Sequence, residues 1–259
     1  MTARSVGFVG GGRVARMILG GLKKAGQMPA TVIVGDVSLD ALNRLQATVP
    51  GIRIAHNDNK LPSSQDLVFL GLHPPAIGGC LAEIKPCLRP EAILISLAPK
   101  ASIAGLADGL GGFKRIVRLI PNAASIIGEG YNPVAFSDAV SQNEKAEILA
   151  LISALGKCPE VEEGRLEAYA VITAMGPTYL WFQLHELQTI AESFGLSRQE
   201  AQTGVAEMLA GAGKTLFGSG LTAEEVMDLI PVKPLAEEEG NIKSIYHARL
   251  VGLYQKLKG

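Results

Sequence analysis

The chain has 259 residues, 47% of them hydrophobic, and a formal net charge of −1. That is enough for one large or two ordinary domains with a substantial core. The near-neutral charge argues against nucleic acid or an anionic membrane surface as partners, because both attract clustered positive charge. No apolar run is long enough for a transmembrane helix. Arg4 leads directly into a predicted strand, which leaves no room for a signal peptide. The 3 cysteines are widely spaced, a pattern that favours neither a disulfide framework nor a zinc site. We therefore expect a cytoplasmic protein without a metal site.

A glycine-rich stretch near the start predicts a dinucleotide-binding turn. The apolar segment 6–9 is followed by Gly10, Gly12 and Ala15, which fit the pattern G-x-G-x-x-A, and then by an apolar face at helical spacing. In such a turn the first glycine permits a sharp bend, the second leaves room for a pyrophosphate, and the small residue lets the helix pack close to the strand. The free N–H groups of the helix N-terminus then face the phosphates. We assign cofactor binding here to Gly10, Gly12, Arg13 and Val14.

The next predicted strand, 31–36, ends at Asp36, 24 positions after Gly12. A spacing of about 20 residues is typical of a carboxylate that accepts hydrogen bonds from ribose hydroxyls. Such a carboxylate repels a 2′-phosphate, and Val37 stands where an NADP enzyme is expected to have an arginine. The local chemistry therefore favours NADH as cofactor. Arg13, which suits either a pyrophosphate or a 2′-phosphate, keeps NADPH open.

Further apolar strands are predicted at 52–55, 66–72, 92–97 and 115–120, and they alternate with helical segments. This alternation predicts an α/β fold, a doubly wound parallel sheet of the Rossmann type over residues 1–157, with its ligand at the carboxyl ends of the strands. The loops that follow those ends should line one crevice with the glycine turn. We therefore add to the cofactor-binding residues His73 and Pro74, near ribose or phosphate, and Asn122, near the nicotinamide.

Residues 158–259 predict an all-helical second domain. The segment 163–194 has a helical pattern that is interrupted at Gly176 and Pro177. The last predicted helix, 242–257, should turn its apolar side chains inward, at Ile245, Leu250 and Leu253. By fold-level analogy, a helical domain of this kind covers the nicotinamide and forms a dimer.

Four motifs, spread in order across nearly the whole chain, resemble those of pyrroline-5-carboxylate reductases; they lie at 10–15, 68–74, 118–122 with 128–130, and 176–179. The resemblance implies an NAD(P)H-binding Rossmann domain and a helical domain that forms a homodimer, in which the partner's helices complete the active site. The implied activity is reduction of a cyclic imine in proline synthesis, and family habit favours NADPH.

The chain departs from this family at several positions, with the larger departures in its second half. Arg13 and His73 stand where the family usually has asparagine and lysine. The serine-glycine loop before Gly176 is absent, and residues 231–235 replace the stretch that holds the substrate carboxylate in the family. An acidic residue that faces the substrate in the family is replaced by His185, with Glu186 beside it. The reaction class therefore carries over better than the substrate, which we expect to be a small imine or carbonyl compound.

Hydride transfer to a C=N bond requires a proton or hydrogen bond at the nitrogen. A histidine suits this role because its ordinary pKa lies near neutrality. We therefore predict His185 as the catalytic residue, with Glu186 and Tyr179 on the same helical stretch. An ordinary surface or interface position is the alternative for His185.

Two other interpretations stay open. One is a deazaflavin- or hydroxyacid-type oxidoreductase with the same N-terminal fold, although 163–186 lacks the lysine that hydroxyacid enzymes carry on their first interdomain helix. The other is a dinucleotide-binding dimer without catalytic activity.

Overall fold

A computed structural model describes residues 4–258 of the chain. They divide into two compact units: the first runs to Met175 and takes in the chain from Tyr254 onward, and the second is Gly176–Leu253. The predicted boundary between two domains, after residue 157, refers to parts of the chain that fold independently. It stays a prediction. Among the described residues, no helix combines the length and the apolar character that crossing a bilayer requires.

The first unit is built on a seven-stranded sheet with the order β3-β2-β1-β4-β5-β6-β8. The strands are β1 (Val6–Val9), β2 (Val32–Asp36), β3 (Arg53–His56), β4 (Leu67–Leu70), β5 (Ile93–Ser96), β6 (Ile116–Leu119) and β8 (Val134–Phe136). The first six are parallel, and β8 pairs with β6 in the antiparallel direction. The predicted doubly wound parallel sheet is therefore confirmed, with an antiparallel edge strand that the sequence analysis missed.

Helices cover both faces of this sheet. They are α1 (Arg13–Lys24), α2 (Leu39–Thr48), α3 (Lys60–Ser63), α4 (Pro74–Ile84), α5 (Ile103–Gly109), α6 (Gln142–Ile152) and α7 (Leu166–Tyr169). Helices α1, α2 and α6 pack on one face, where the rings of Phe8 and Phe69 stack with centroids 4.6 Å apart. Helices α4 and α5 pack on the other face, against Val9, Val68 and Leu70. The strands are buried on both faces, which explains their continuous apolar runs.

The carboxyl ends of β1 and β4 lie side by side, where the strand order reverses, because Val9 pairs with Leu70. Gly10 follows β1 with φ of +105°, and a Cβ there would lie 2.6 Å from the carbonyl oxygen of Gly71. Only glycine fits this position without strain. The sharp turn directs the chain into α1 at the edge of the sheet where doubly wound folds bind their ligands.

The segment after the sheet packs against the same unit. A short pair of strands, β7 (Gly130–Tyr131) and β9 (Gly156–Lys157), precedes it. Helix α7 continues into a π-helix at Ala170–Ala174. Leu166 and Ala170 are buried against Ile120 and Ala135, beside the end of β6. The beginning of the predicted helical region is therefore part of the sheet unit.

The second unit contains α8 (Pro177–Ser193), α9 (Arg198–Gly218), α10 (Ala223–Asp228) and most of α11 (Glu239–Lys258). Capping boxes begin α9 and α10, at Ser197 with Glu200 and at Thr222 with Glu225. Among the residues 176–253, Ala201 alone is buried. The inward packing predicted for the last helix is wrong at Ile245, which is 53% exposed, whereas Leu250 and Leu253 are half-buried. Apolar periodicity identifies a helix face but does not specify whether the same chain covers it.

Candidate functional site

The glycine turn leaves open space in front of α1. A Cβ added to Gly12 would meet no atom within 4 Å. Gly12 precedes α1 as its N-cap and, having no side chain, provides no cap for the first turn of this helix. The free N–H groups and the positive end of the helix dipole therefore face this space, which is the arrangement that binds a phosphate group.

A cavity of about 260 Å³ adjoins this turn and lies between α1, α2 and the loop after β4. It brings together three of the predicted cofactor residues, Gly12, Arg13 and His73, with two arginines that the sequence analysis missed, Arg16 and Arg44. All three arginines are exposed. None of them has a side-chain ion pair or hydrogen bond within residues 4–258. The cavity therefore carries three uncompensated positive charges.

Asp36 lies between the glycine turn and α2. Its Oδ2 accepts a hydrogen bond from the N–H of Gly11 and its Oδ1 accepts one from the N–H of Ser38, both at 2.7 Å. These bonds hold the carboxylate at the carboxyl end of β2.

Of the other predicted cofactor residues, Val14 packs against the core below α1 and Pro74 is the first residue of α4.

The side chain of Asn122 forms structural hydrogen bonds at the end of β6. Its Oδ1 accepts from the N–H of Ala124 at 2.8 Å, and its Nδ2 donates to the carbonyl of Thr173 in the π-helix. Pro177 has no N–H to offer this carbonyl, four residues before it, and the amide of Asn122 supplies a donor instead. Asn122 is only 8% exposed. A nicotinamide contact for Asn122 stays a prediction.

A buried charge cluster lies at the same edge of the sheet. Arg118 on β6 is 2% exposed, and it donates to Glu163 at 3.0 Å and to Glu167 at 2.6 Å. The carboxylates also accept from the backbone of the loop after β5, Glu163 from the N–H of Ile103 and Glu167 from that of Lys100. The cluster thus joins β6, this loop and α7. A charged residue inside an apolar strand was the sequence signal for it.

The three predicted catalytic residues lie on α8, in the second unit. Tyr179 lines an apolar cavity of about 440 Å³ between α8 and α11, with Gln183 and Tyr246. The rings of Tyr179 and Tyr246 meet edge to face at 6.2 Å. Burial, and then the neighbouring Tyr246, raise the pKa of Tyr179 above its ordinary value, so its hydroxyl keeps its proton at neutral pH.

His185 and Glu186 are both exposed on α8. Glu186 follows Tyr179 by seven residues, about two helical turns, and so lies on the same side of α8. His185 lies on a different side and does not line the cavity. Of the three predicted catalytic residues, Tyr179 lines the cavity, and neither Glu186 nor His185 is among its lining residues. The catalytic roles of all three stay predictions.

Comparisons with known proteins extend over the whole chain. The family model described as NADP oxidoreductase, coenzyme F420-dependent, matches residues 5–100. The chain is similar to pyrroline-5-carboxylate reductase of Methanosarcina acetivorans, with 26% identity over 89% of this chain and 85% of that protein. It is also similar to pyrroline-5-carboxylate reductase 3 of Bos taurus, with 29% identity over 84% of this chain and 70% of that protein.

A similar fold is present in the crystal structure of Plasmodium falciparum pyrroline carboxylate reductase with NADP bound. The TM-score is 0.85 and the identity 22%, with 100% of this chain and 98% of that chain covered. The resemblance predicted from the four sequence motifs is confirmed.

Proposed function

We propose that the chain belongs to the pyrroline-5-carboxylate reductase family, which it resembles over most of its length. On this proposal it is an NAD(P)H-dependent oxidoreductase that reduces a C=N bond, as in a cyclic imine, by hydride transfer. The observation that carries this proposal is the turn at Gly10 and Gly12, with open space at Gly12 in front of α1. The bound cofactor supplies the hydride, while the protein binds and orients it.

The cofactor is a reduced nicotinamide dinucleotide, with its pyrophosphate at the N-terminus of α1. We assign the pyrophosphate contact to Gly10, Gly12, Arg13 and the backbone of Val14. We assign the adenine ribose contact to Asp36. His73 and Pro74, in the loop after β4, are assigned to the ribose or phosphate. The choice between NADH and NADPH depends on two opposing features, the carboxylate of Asp36 and the arginines of the adjoining cavity.

The proton for the imine nitrogen comes from the polar groups of α8. Tyr179 can donate a hydrogen bond to this nitrogen, because its hydroxyl is protonated at neutral pH. Glu186, on the same side of the helix, and His185 are the other two candidates. The substrate is a small imine or carbonyl compound, and proline synthesis is the process that its relatives' activity suggests.

The working form is a homodimer that pairs through the second unit. Its support is the exposure of large apolar side chains there, among them Phe182, Phe217, Ile230 and Ile245. So many exposed large apolar side chains on one unit are unusual in a monomeric protein, and a second copy of the same helices is a self-complementary cover for them. We place this dimer in the cytoplasm, in keeping with the free thiols of Cys80, Cys87 and Cys158.

A second candidate, hydride exchange between NADP and a deazaflavin, is favoured by one observation. The matching family model carries that description, but it covers only residues 5–100. The reductase relatives match the second unit as well, which supports imine reduction.

Turnover tests the proposal directly. Purified protein is mixed with pyrroline-5-carboxylate and either NADPH or NADH, and loss of the reduced nicotinamide absorbance is followed. We expect oxidation of the cofactor that depends on the imine, and a much slower oxidation at the same cofactor concentration with the variant Gly12→Ala, whose methyl group enters the pyrophosphate space. Tight cofactor binding without turnover of any imine would overturn the proposal and favour a non-catalytic binding protein.

A further inference from the structure

A further cavity of the first unit lies apart from the glycine turn. It has a volume of about 390 Å³ and is bounded by α5, by the chain just before β6 and just after β8, and by the short segment that precedes α7. Its volume falls in the range of small-molecule sites, about 300–1,000 Å³. It shares no lining residue with the cavity beside the glycine turn. The proposed cofactor site therefore does not use it.

This cavity combines apolar walls with charges of both signs. Its apolar lining residues are Ile103, Ala107 and Phe136, and its charged ones are Lys114, Asp138 and Glu163. Lys114 and Asp138 are exposed, and neither side chain forms an ion pair or hydrogen bond within residues 4–258. A few polar groups in an otherwise apolar pocket can fix the orientation of a small ligand. Charges of opposite sign suit a ligand that carries both.

Glu163 offers this cavity a carboxylate that is already held in place. Its Oε1 accepts from the N–H of Ile103 at 2.6 Å and from the guanidinium of Arg118 at 3.0 Å. Its Oε2 accepts no hydrogen bond from the described part of the chain. The side chain is 33% exposed, so that a ligand can reach it. A carboxylate oxygen in this position can accept from a cationic donor.

The charge of the surrounding cluster also favours a cation. The guanidinium of Arg118 is shared by the carboxylates of Glu163 and Glu167, so the three groups together keep a net charge of −1. Arg118 and Glu167 are buried, where an uncompensated charge is more unfavourable than at the surface. A ligand ammonium at Glu163 would neutralise this charge.

We propose that the cavity binds a small apolar α-amino acid, and that the bound ligand stabilises the loop after β5. The ammonium group pairs with Glu163 and Asp138, the carboxylate pairs with Lys114, and the apolar side chain packs against α5. The site uses neither the glycine turn nor α8, so it does not depend on the proposed reductase activity.

The effect on the loop follows from the hydrogen bonds of the cluster. Glu163 holds the N–H of Ile103, where α5 begins, and Glu167 holds the N–H of Lys100 within the loop. Arg118 joins the two carboxylates. A ligand that binds Glu163 in this position favours the loop conformation in which these bonds are formed. This loop lies at the carboxyl edge of the sheet, so the cavity is an effector site for that edge.

A titration followed by NMR tests the binding. L-Valine is added to the full-length ¹⁵N-labelled protein, and amide shifts give both the affinity and the location. L-Proline is avoided, because as the product of the proposed reaction it would also bind at the reaction site. Two analogues separate the charges: L-valinamide lacks the carboxylate, and 3-methylbutanoate lacks the ammonium group.

Variants of the two unpaired side chains test the contacts. They are Lys114→Gln and Asp138→Asn, with Lys157→Gln and Asp108→Asn as matched controls. Lys157 and Asp108 are also exposed and without a side-chain partner among the described residues, but neither lines the cavity. Thermal unfolding of each variant verifies that the fold is intact.

We expect saturable shifts at Ile103 and at residues 136–139. Each cavity variant should weaken L-valine about tenfold, as expected for loss of a charged hydrogen bond, and the controls should not. Both analogues should bind at least tenfold more weakly than L-valine. Hydrogen exchange of the Lys100 and Ile103 amides should slow at saturation with L-valine.

Four results would overturn the proposal. They are the absence of saturable binding, shifts confined to residues outside the cavity, unchanged affinity in both cavity variants, and analogues that bind as tightly as L-valine. Unchanged exchange at Lys100 and Ile103 in the saturated protein would overturn the effect on the loop. Imine turnover is not part of these measurements, so a failure of the proposed reductase activity would be seen separately.

Discussion

The guanidinium of Arg118 donates to the carboxylate of Glu167 at 2.6 Å in a position from which water is almost completely excluded. The same carboxylate accepts from the N–H of Lys100, which has a left-handed backbone with φ of 74°. A non-glycine residue in this region is strained unless its surroundings hold it there. The ion pair therefore helps to hold the loop after β5 at the carboxyl edge of the sheet.

Removing the cation of this pair should cost much more than removing an exposed one. We expect Arg118→Gln to lower the free energy of unfolding by about 3 kcal/mol, because it leaves the buried carboxylate of Glu167 and the half-buried one of Glu163 without this counter-charge. Arg165→Gln breaks the exposed pair with Glu162 and should cost less than about 1 kcal/mol. Urea denaturation of the two variants measures the difference. Equal losses would show that burial does not govern the strength of the Arg118 pair.

Substitution of the two glycines of the turn should have different effects, Gly10 on the stability of the fold and Gly12 on the binding of NADPH. Gly10→Ala places a methyl group 2.6 Å from the carbonyl oxygen of Gly71 at a positive φ, and should destabilise the fold by about 1–3 kcal/mol. Gly12→Ala meets no atom and should change stability by less than about 1 kcal/mol. We expect Gly12→Ala nevertheless to weaken NADPH binding about tenfold or more.

Thermal unfolding measures the stability of the Gly10→Ala and Gly12→Ala variants, and calorimetry measures their binding of NADPH. If Gly12→Ala bound NADPH as tightly as the wild type, the pyrophosphate would not lie in front of α1.

The features that the sequence predicted are local ones. The glycine turn and the apolar strands each depend on neighbours within a few residues, so a pattern in the chain is sufficient to identify them. The contacts that the sequence analysis missed join distant residues. Arg44 approaches Arg16 only because α1 and α2 pack on the same face of the sheet, and β8 reveals its antiparallel pairing only beside β6.

Asn122 shows that the contacts of a predicted site residue can also be missed when they involve distant residues. Its position after a strand was sufficient to predict that it lies at the crevice. That its amide binds the carbonyl of Thr173 depends on the π-helix at Ala170–Ala174 and on the missing N–H of Pro177. Hydrogen bonds of this kind connect residues 51 positions apart and have no periodic signal in the sequence.

Acid should destabilise the first unit through Glu144. Burial opposes ionisation of this carboxylate, but hydrogen bonds from the side chain and backbone of Ser141, and the guanidinium of Arg115, outweigh it and hold the pKa of Glu144 at about 2. Because this pKa is lower in the folded than in the unfolded state, its stabilisation is present above about pH 5 and lost as the pH falls towards 2.

Urea midpoints between pH 7 and pH 2 measure this loss. Glu144→Gln keeps a side chain that can complete the capping box but removes the titrating group. We expect the variant to be less stable than the wild type at neutral pH and to show a shallower decline with acid. Parallel declines in the two proteins would mean that other carboxylates, such as Asp66 with its lowered pKa, account for the acid sensitivity.

The apolar cavity between α8 and α11 provides the test of the homodimer. Ile245 lines this cavity and is 53% exposed, whereas Ile127, in the first unit, is 51% exposed and lies outside it. A glutamate at either position costs little in an isolated chain, but a charge buried at an interface without a partner is strongly unfavourable. We therefore expect sedimentation equilibrium to give a dimer for the wild type and for Ile127→Glu, and a monomer for Ile245→Glu. A dimeric Ile245→Glu variant would place the interface on another surface, and a monomeric wild type would remove the proposed dimer altogether.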